Sequence, residues 1–188
     1  QKSNKEFGIA LADKDRVNNF CEMGINFFKV LSWDINDHNY IDKLIETGKR
    51  VYISTGLATE KDLKRLSKRY GNNHHINLIH TQLTHEIIDT NLNAIELMKQ
   101  YGFDVSYGNH SKNLNTIYVS LPYQPKEIWC YVKLKNSPQQ PLDYEHAIEI
   151  SNINKFIENI IELKKSIGDG KKIKHETKAF NAGLEDIL

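Results

Sequence analysis

Short, continuously apolar runs rich in β-branched and aromatic residues alternate along the chain with longer stretches whose apolar positions recur at helical spacing. The runs at 7–12, 27–32, 50–55, 76–80, 104–107 and 127–134 predict strands. The stretches at 13–22, 39–47, 60–70, 91–101, 113–120 and 151–167 predict helices. Asp13 supplies an N-cap for the first helix, with Val17, Phe20 and Cys21 on its apolar side. Gly24, Gly48, Gly71, Gly102 and Gly168 stand where five of the helical patterns stop.

Strand, loop and helix therefore repeat six times, at a period of roughly 20 to 30 residues. Strands that are apolar throughout suit a parallel sheet covered on both faces, and alternating βα units imply right-handed crossovers. Two α/β architectures meet that description: a doubly wound open sheet, which six units fit, and a (β/α)8 barrel, which two more would complete. Prolines 122, 125, 138 and 141 bracket the last strand and mark irregular loops. Residues 1–168 read as the (β/α) domain and 169–188 as a charged tail or linker.

Composition narrows the picture. The 188 residues are 39% hydrophobic and 26% charged, the profile of one soluble globular domain with room for a sizeable core. A formal charge of +1 gives no general pull towards nucleic acid or an anionic membrane, and neither is expected as a partner. Cys21 and Cys130 lie far apart and read as buried, reduced thiols, so a cytoplasmic setting is expected. Neither a signal peptide nor a spanning helix is predicted. The chain starts at Gln1 and not at methionine, so it is expected to be trimmed or a piece of something longer.

Parallel α/β proteins place their chemistry at the carboxyl ends of the strands. The second strand ends in Phe28-Lys29-Val30-Leu31-Ser32. Alternation puts Lys29 and Leu31 on one face, with Val30 and Ser32 on the other. A lysine in an apolar strand either meets an anion in a cleft or snorkels at the edge. The third strand ends in Ser54-Thr55-Gly56, where hydroxyls and a glycine ahead of a helix can hold anionic oxygens; equally, Gly56 makes a turn and Thr59 a cap. The fourth ends in His80-Thr81-Gln82 and the fifth in Tyr107-Gly108-Asn109-His110, each a candidate ligand or proton carrier and each equally a loop histidine. His74-His75 sits in an Asn-rich turn and is expected to be exposed, as is the charged face of 61–69. No Gly-x-Gly-x-x-Gly, phosphate loop or Gly-x-Ser-x-Gly occurs, which argues against dinucleotide, nucleoside triphosphate and serine-hydrolase chemistry.

Taken in order, these strand ends resemble the barrel domain of the sialic acid (N-acetylneuraminate) synthase family. The resemblance is carried by Lys29-Val30-Leu31-Ser32, by Thr47-Gly48-Lys49-Arg50-Val51 leading to Ser54-Thr55-Gly56-Leu57-Ala58-Thr59, by His80-Thr81 with Asn91-Leu92-Asn93-Ala94-Ile95, and by Ser106-Tyr107-Gly108-Asn109-His110-Ser111. It implies a (β/α)8 barrel of TIM type, of which this chain holds about six units, without the first two units and without the antifreeze-like domain that follows the family's barrel. It also implies a transferase that condenses phosphoenolpyruvate with an N-acetylated amino sugar to make a nonulosonic acid. Lys29, Ser32 and Ser54 correspond to the phosphoenolpyruvate-binding groups, Asp143 to a sugar-contacting aspartate, and His110 to one of two histidines that hold a divalent metal, manganese or magnesium. The second metal histidine falls at Tyr131, and the family's glutamate base has no counterpart in this chain; the catalytic residues are otherwise unassigned. A second reading stays open: a catalytically degenerate relative that binds an anion or sugar, or serves as an assembly subunit. Family members pair as dimers, so a homodimer or a completing segment is a further expectation.

Overall fold

The structure, a computed structural model, describes residues 5–136 and 143–172. Six strands form one all-parallel sheet: β1 (Gly8–Ala10), β2 (Phe27–Val30), β3 (Arg50–Ser54), β4 (Ile76–His80), β5 (Asp104–Gly108) and β6 (Ile128–Trp129). The helices are α1 (Val17–Glu22), α2 (His38–Glu46), α3 (Glu60–Tyr70), α4 (Ala94–Gln100), α5 (Asn115–Ser120) and α6 (Ile153–Lys165). Spatial order equals sequence order, β1 to β6. A doubly wound sheet reverses its order at a switch point; this one never does, which leaves the barrel architecture.

Side-chain contacts show how far the sheet curls. Flat strands spaced by about 4.8 Å would hold β2 and β6 roughly 19 Å apart. Instead Phe27 on β2 meets Trp129 on β6 edge-on at 5.7 Å, and Tyr52 on β3 meets the same indole at 5.0 Å. The Glu127 carboxylate, just before β6, accepts hydrogen bonds from Tyr52 Oη at 3.0 Å, Asn77 Nδ2 at 3.3 Å and Ser106 Oγ at 2.5 Å. One half-buried acid thus ties together side chains from β3, β4 and β5. The sheet is an incomplete barrel, as the family resemblance implies.

The core lies between the sheet and its helices. Phe28, Val30, Val51, Ile53 and Leu78 are wholly buried from the strands, as are Ile41, Leu44, Leu66, Ile95 and Ile117 from the helices. Helix α3 spans the predicted residues because both its ends are specified. Thr59 Oγ1 accepts from the Asp62 amide while Asp62 Oδ2 accepts from the Thr59 amide at 2.8 Å, a reciprocal capping box. At the far end the left-handed turn falls on Asn72 (φ 63°) and not on Gly71, whose φ is −54°.

Several expectations are corrected. The single strand predicted at 127–134 is two, β6 and β7 (Val132–Lys133), because the chain leaves the sheet at Cys130–Tyr131. β7 pairs in parallel with β8 (Ile148–Glu149), which the sequence pattern did not suggest. The helix predicted at 13–22 begins as a 3-10 turn, Lys14–Arg16, and that at 91–101 shortens to α4 after a 3-10 turn at Ile87–Thr90. Cys21 and Cys130 are free thiols but only half-buried. Pro138, Pro141 and most of the expected tail, residues 173–188, lie outside the described residues. No helix among the described residues is long and apolar enough to cross a membrane.

Candidate functional site

β2, β3 and β5 end at one opening, and Asp143, in the described stretch ahead of β8, borders it. A cavity of about 460 Å³ is lined there by Lys29, Ser32, Ser54, His110, Tyr131 and Asp143, with His85 and the exposed indole of Trp33 at its edge. A smaller cavity of about 100 Å³ continues inward past Lys29, Ser54, His110 and Trp129. All five site residues read from the sequence therefore share one space.

Lys29 projects from the carboxyl end of β2, one residue before its last. Its ammonium lies 5.6 Å from the Trp129 ring centroid, a cation–π contact, and makes no ion pair among the described residues. Burial lowers its pKa, opposed by the charge of Asp143. Partial burial of a cation that has no ion-pair partner is costly unless an anion comes to meet it.

Ser32 reaches the same cavity by a route that strand alternation did not predict. β2 stops at Val30, and Ser32 opens a 3-10 turn, Ser32–Asp34, which brings the hydroxyl round to the Lys29 side. Its Oγ accepts from the Gly56 amide at 3.2 Å, leaving its own proton to donate. Ser54, the last residue of β3, is buried and makes no side-chain hydrogen bond among the described residues. The backbone at Gly108 passes close by: a Cβ there would meet Ile79 Cγ2 at 2.8 Å, so only glycine lets β5 approach β4 at the cavity floor.

His110 is aimed by its neighbours. Asn109 is buried; its Oδ1 accepts from Tyr107 Oη at 3.0 Å and Thr116 Oγ1 at 2.8 Å, and its Nδ2 donates to the Ser111 carbonyl at 3.0 Å. His85 Nδ1 donates to the His110 carbonyl at 2.9 Å. Tyr131, where the resemblance expects the second histidine, places its hydroxyl 3.5 Å from His110 Nε2. Burial above all, and then the neighbouring charge of His146, push the His110 pKa down to about 4, so the ring is neutral near pH 7. Burial likewise raises the Tyr131 phenol, which stays protonated.

An imidazole the sequence reading did not single out completes the group. His146 is fully buried and stacks on His110 with centroids 5.0 Å apart. One ligand atom from each of His110, Asp143 and His146 lies within 4.8 Å of the others, a grouping that can take a divalent cation. The signal was present as Asp143-x-x-His146, but a polar loop offers no pattern that predicts burial. The other sequence candidates lie elsewhere. His80 is buried and its Nε2 donates to the Thr90 carbonyl at 2.8 Å, while His74 and His75 are exposed as expected. Thr59 is a cap.

A singly wound parallel sheet rolled towards a barrel, with a cation, hydroxyls and neutral imidazoles at its carboxyl mouth, defines a protein of the (β/α)-barrel class, here an incomplete one. Residues 5–172 match the NeuB family, and the chain belongs to that family. It is 26% identical, over its whole length, to the N,N'-diacetyllegionaminic acid synthase of Campylobacter jejuni, of which it spans 59%. To a pseudaminic acid synthase of the same species it is 22% identical over 77% of its length and 43% of that protein. Among solved structures, the N-acetylneuraminic acid synthetase of Leptospira borgpetersenii superposes with a TM-score of 0.74, at 22% identity, over 95% of this chain and 64% of that one. The chain thus spans about half the length of the curated relatives it matches.

Proposed function

We propose that this chain supplies the phosphoenolpyruvate-binding side of a nonulosonic acid synthase, which condenses phosphoenolpyruvate with an N-acetylated amino sugar. The observation that carries the reading is the convergence of Lys29, Ser32 and Ser54 on one cavity, with the lysine lacking an ion-pair partner among the described residues. Three kinds of donor suit a small molecule bearing both carboxylate and phosphate. Lys29 neutralises charge, Ser32 donates while Gly56 fixes its oxygen, and Ser54 donates from the cavity floor. Trp33, 66% exposed at the rim, offers a flat apolar face to the sugar. Asp143 stands across the cavity from Lys29 and can accept from a sugar hydroxyl. His110, neutral and aimed by Asn109 and His85, is the metal-ligating imidazole; a divalent ion held there would polarise the sugar's carbonyl. The test is phosphate release from phosphoenolpyruvate with manganese and a panel of N-acetylhexosamines. Release that Lys29→Ala abolishes supports the reading, and its absence in the parent chain together with absence of phosphoenolpyruvate binding sinks it.

One observation favours a second reading. Asp143 is the single carboxylate lining the larger cavity among the described residues, and a phenol occupies the expected ligand position. A protein that binds phosphoenolpyruvate without turnover accords with both, and calorimetry showing binding with no phosphate release would select it.

A further inference from the structure

We propose that the chain rebuilds its metal site from the loop before β8, with His146 and Asp143 joining His110 to hold one first-row transition cation. The proposal rests on the synthase reading for its purpose, and on local geometry for its substance. Tyr131 fills the place of a histidine with a neutral phenol, a poor ligand near pH 7. A site that had merely lost its second ligand would leave His110 facing inert neighbours. Instead another imidazole has been carried into the gap.

His146 has no accessible surface, yet neither of its ring nitrogens has a hydrogen-bond partner. Buried polar atoms are rarely left so, and each such exception calls for a reason. Asp143 Oδ1 lies 3.3 Å from His146 Nε2, at ion-pair distance but without hydrogen-bond geometry. The ring is boxed in by His110 at 5.0 Å, His85 at 5.1 Å and Tyr131 at 4.9 Å, so it cannot turn outward to water. The groups facing the pair from the surrounding elements are Lys29, His85, Tyr131, Asp143 and Glu145. A cation among the three would satisfy one of the two orphaned nitrogens, use the carboxylate, and leave coordination positions open towards the cavity.

The position of the loop explains how this arises. β8 pairs with β7 through Val132↔Ile148 and Lys133↔Glu149, and the Lys133 ammonium donates to the Tyr144 carbonyl at 2.8 Å. These bonds pin 143–149 against the strand that follows Tyr131. The residue that displaced the ligand and the segment that replaces it are held by one short ladder. Two imidazoles with a single carboxylate suit manganese, cobalt or zinc better than magnesium, which prefers oxygen donors and an octahedral shell.

Cobalt(II) chloride titrated into the full chain, followed by visible absorption, reads the site without any catalytic assay. One cobalt per chain is expected. His146→Gln, which keeps a polar end of similar volume, should weaken uptake roughly a hundredfold, and adding Tyr131→His to it should restore at least a tenth of the lost affinity. Spin-echo spectra of the manganese-loaded parent should show two imidazole nitrogens, a readout that does not depend on any variant folding. Unchanged cobalt affinity in His146→Gln, one imidazole in the echo spectrum, or no uptake at millimolar cobalt would overturn the proposal. Phosphoenolpyruvate binding, measured with chelator present, separates the two readings: it should be unchanged in His146→Gln and weaken by roughly 10- to 150-fold in Lys29→Met, whereas cobalt affinity should weaken in the first variant and hold in the second.

Discussion

Replacing Lys29 with methionine should move two observables in opposite directions. The ammonium sits in a cavity with burial lowering its pKa, and its partners there are the Trp129 face and the more distant charge of Asp143. Methionine keeps the length and apolar stem and removes a charge that folding partly desolvates. Relief of that desolvation should contribute on the order of 1 kcal/mol. For a chain of 188 residues that is a rise in Tm of about 2–4 °C. The same change removes a charge-assisted contact to the bound anion, worth about 1.5–3 kcal/mol, so phosphoenolpyruvate affinity should fall by roughly 10- to 150-fold. Circular-dichroism melts and calorimetry at one fixed salt concentration measure both. A lower Tm with unchanged affinity would show that Lys29 is a structural side chain whose ammonium already has its partner, and the anion-site argument would fail. A residue that weakens the free fold while strengthening the complex is the usual sign of a site kept for binding.

Two further outcomes follow from the structure. Because His110 titrates near 4 when folded and near 6.5 when unfolded, the unfolded chain binds the extra proton between those values. Stability should therefore be complete above about pH 6.5 and fall by roughly 3 kcal/mol as the pH drops towards 4; urea melts of the parent against His110→Asn should show a shallower slope in the variant, and equal slopes refute the assignment. Thr59→Ala removes one half of the α3 capping box and should cost about 1 kcal/mol, read as a lower urea midpoint with an unchanged m-value.

Much of the barrel could be read from the chain because its signals are local. α3 and β4 match their predicted spans, since Thr59, Asp62 and Gly71 bracket the one and an unbroken apolar run defines the other. The choice between an open sheet and a barrel was not local: it rests on the order in which the strands pair and on contacts across the sheet such as Phe27–Trp129. The site divided along the same line. Lys29, Ser54 and His110 stand at strand ends, where pattern alone locates them. Ser32 shares their cavity because a 3-10 turn overrides alternation. His146 was passed over because Cys130 and Tyr131 look like good strand residues, so nothing announced that the chain would leave the sheet there and return as β8.

The unbroken order of the sheet bears on how the molecule comes to exist at all. Each strand of the main sheet pairs with the one made just before it, at separations of 19 to 27 residues. Such short closures are cheap in entropy and favour rapid assembly. On a ribosome the nascent end would find its docking edge already waiting at every step, and growth could proceed like laying courses of brick. The imidazole from the last course arrives after the wall it must lean on is complete.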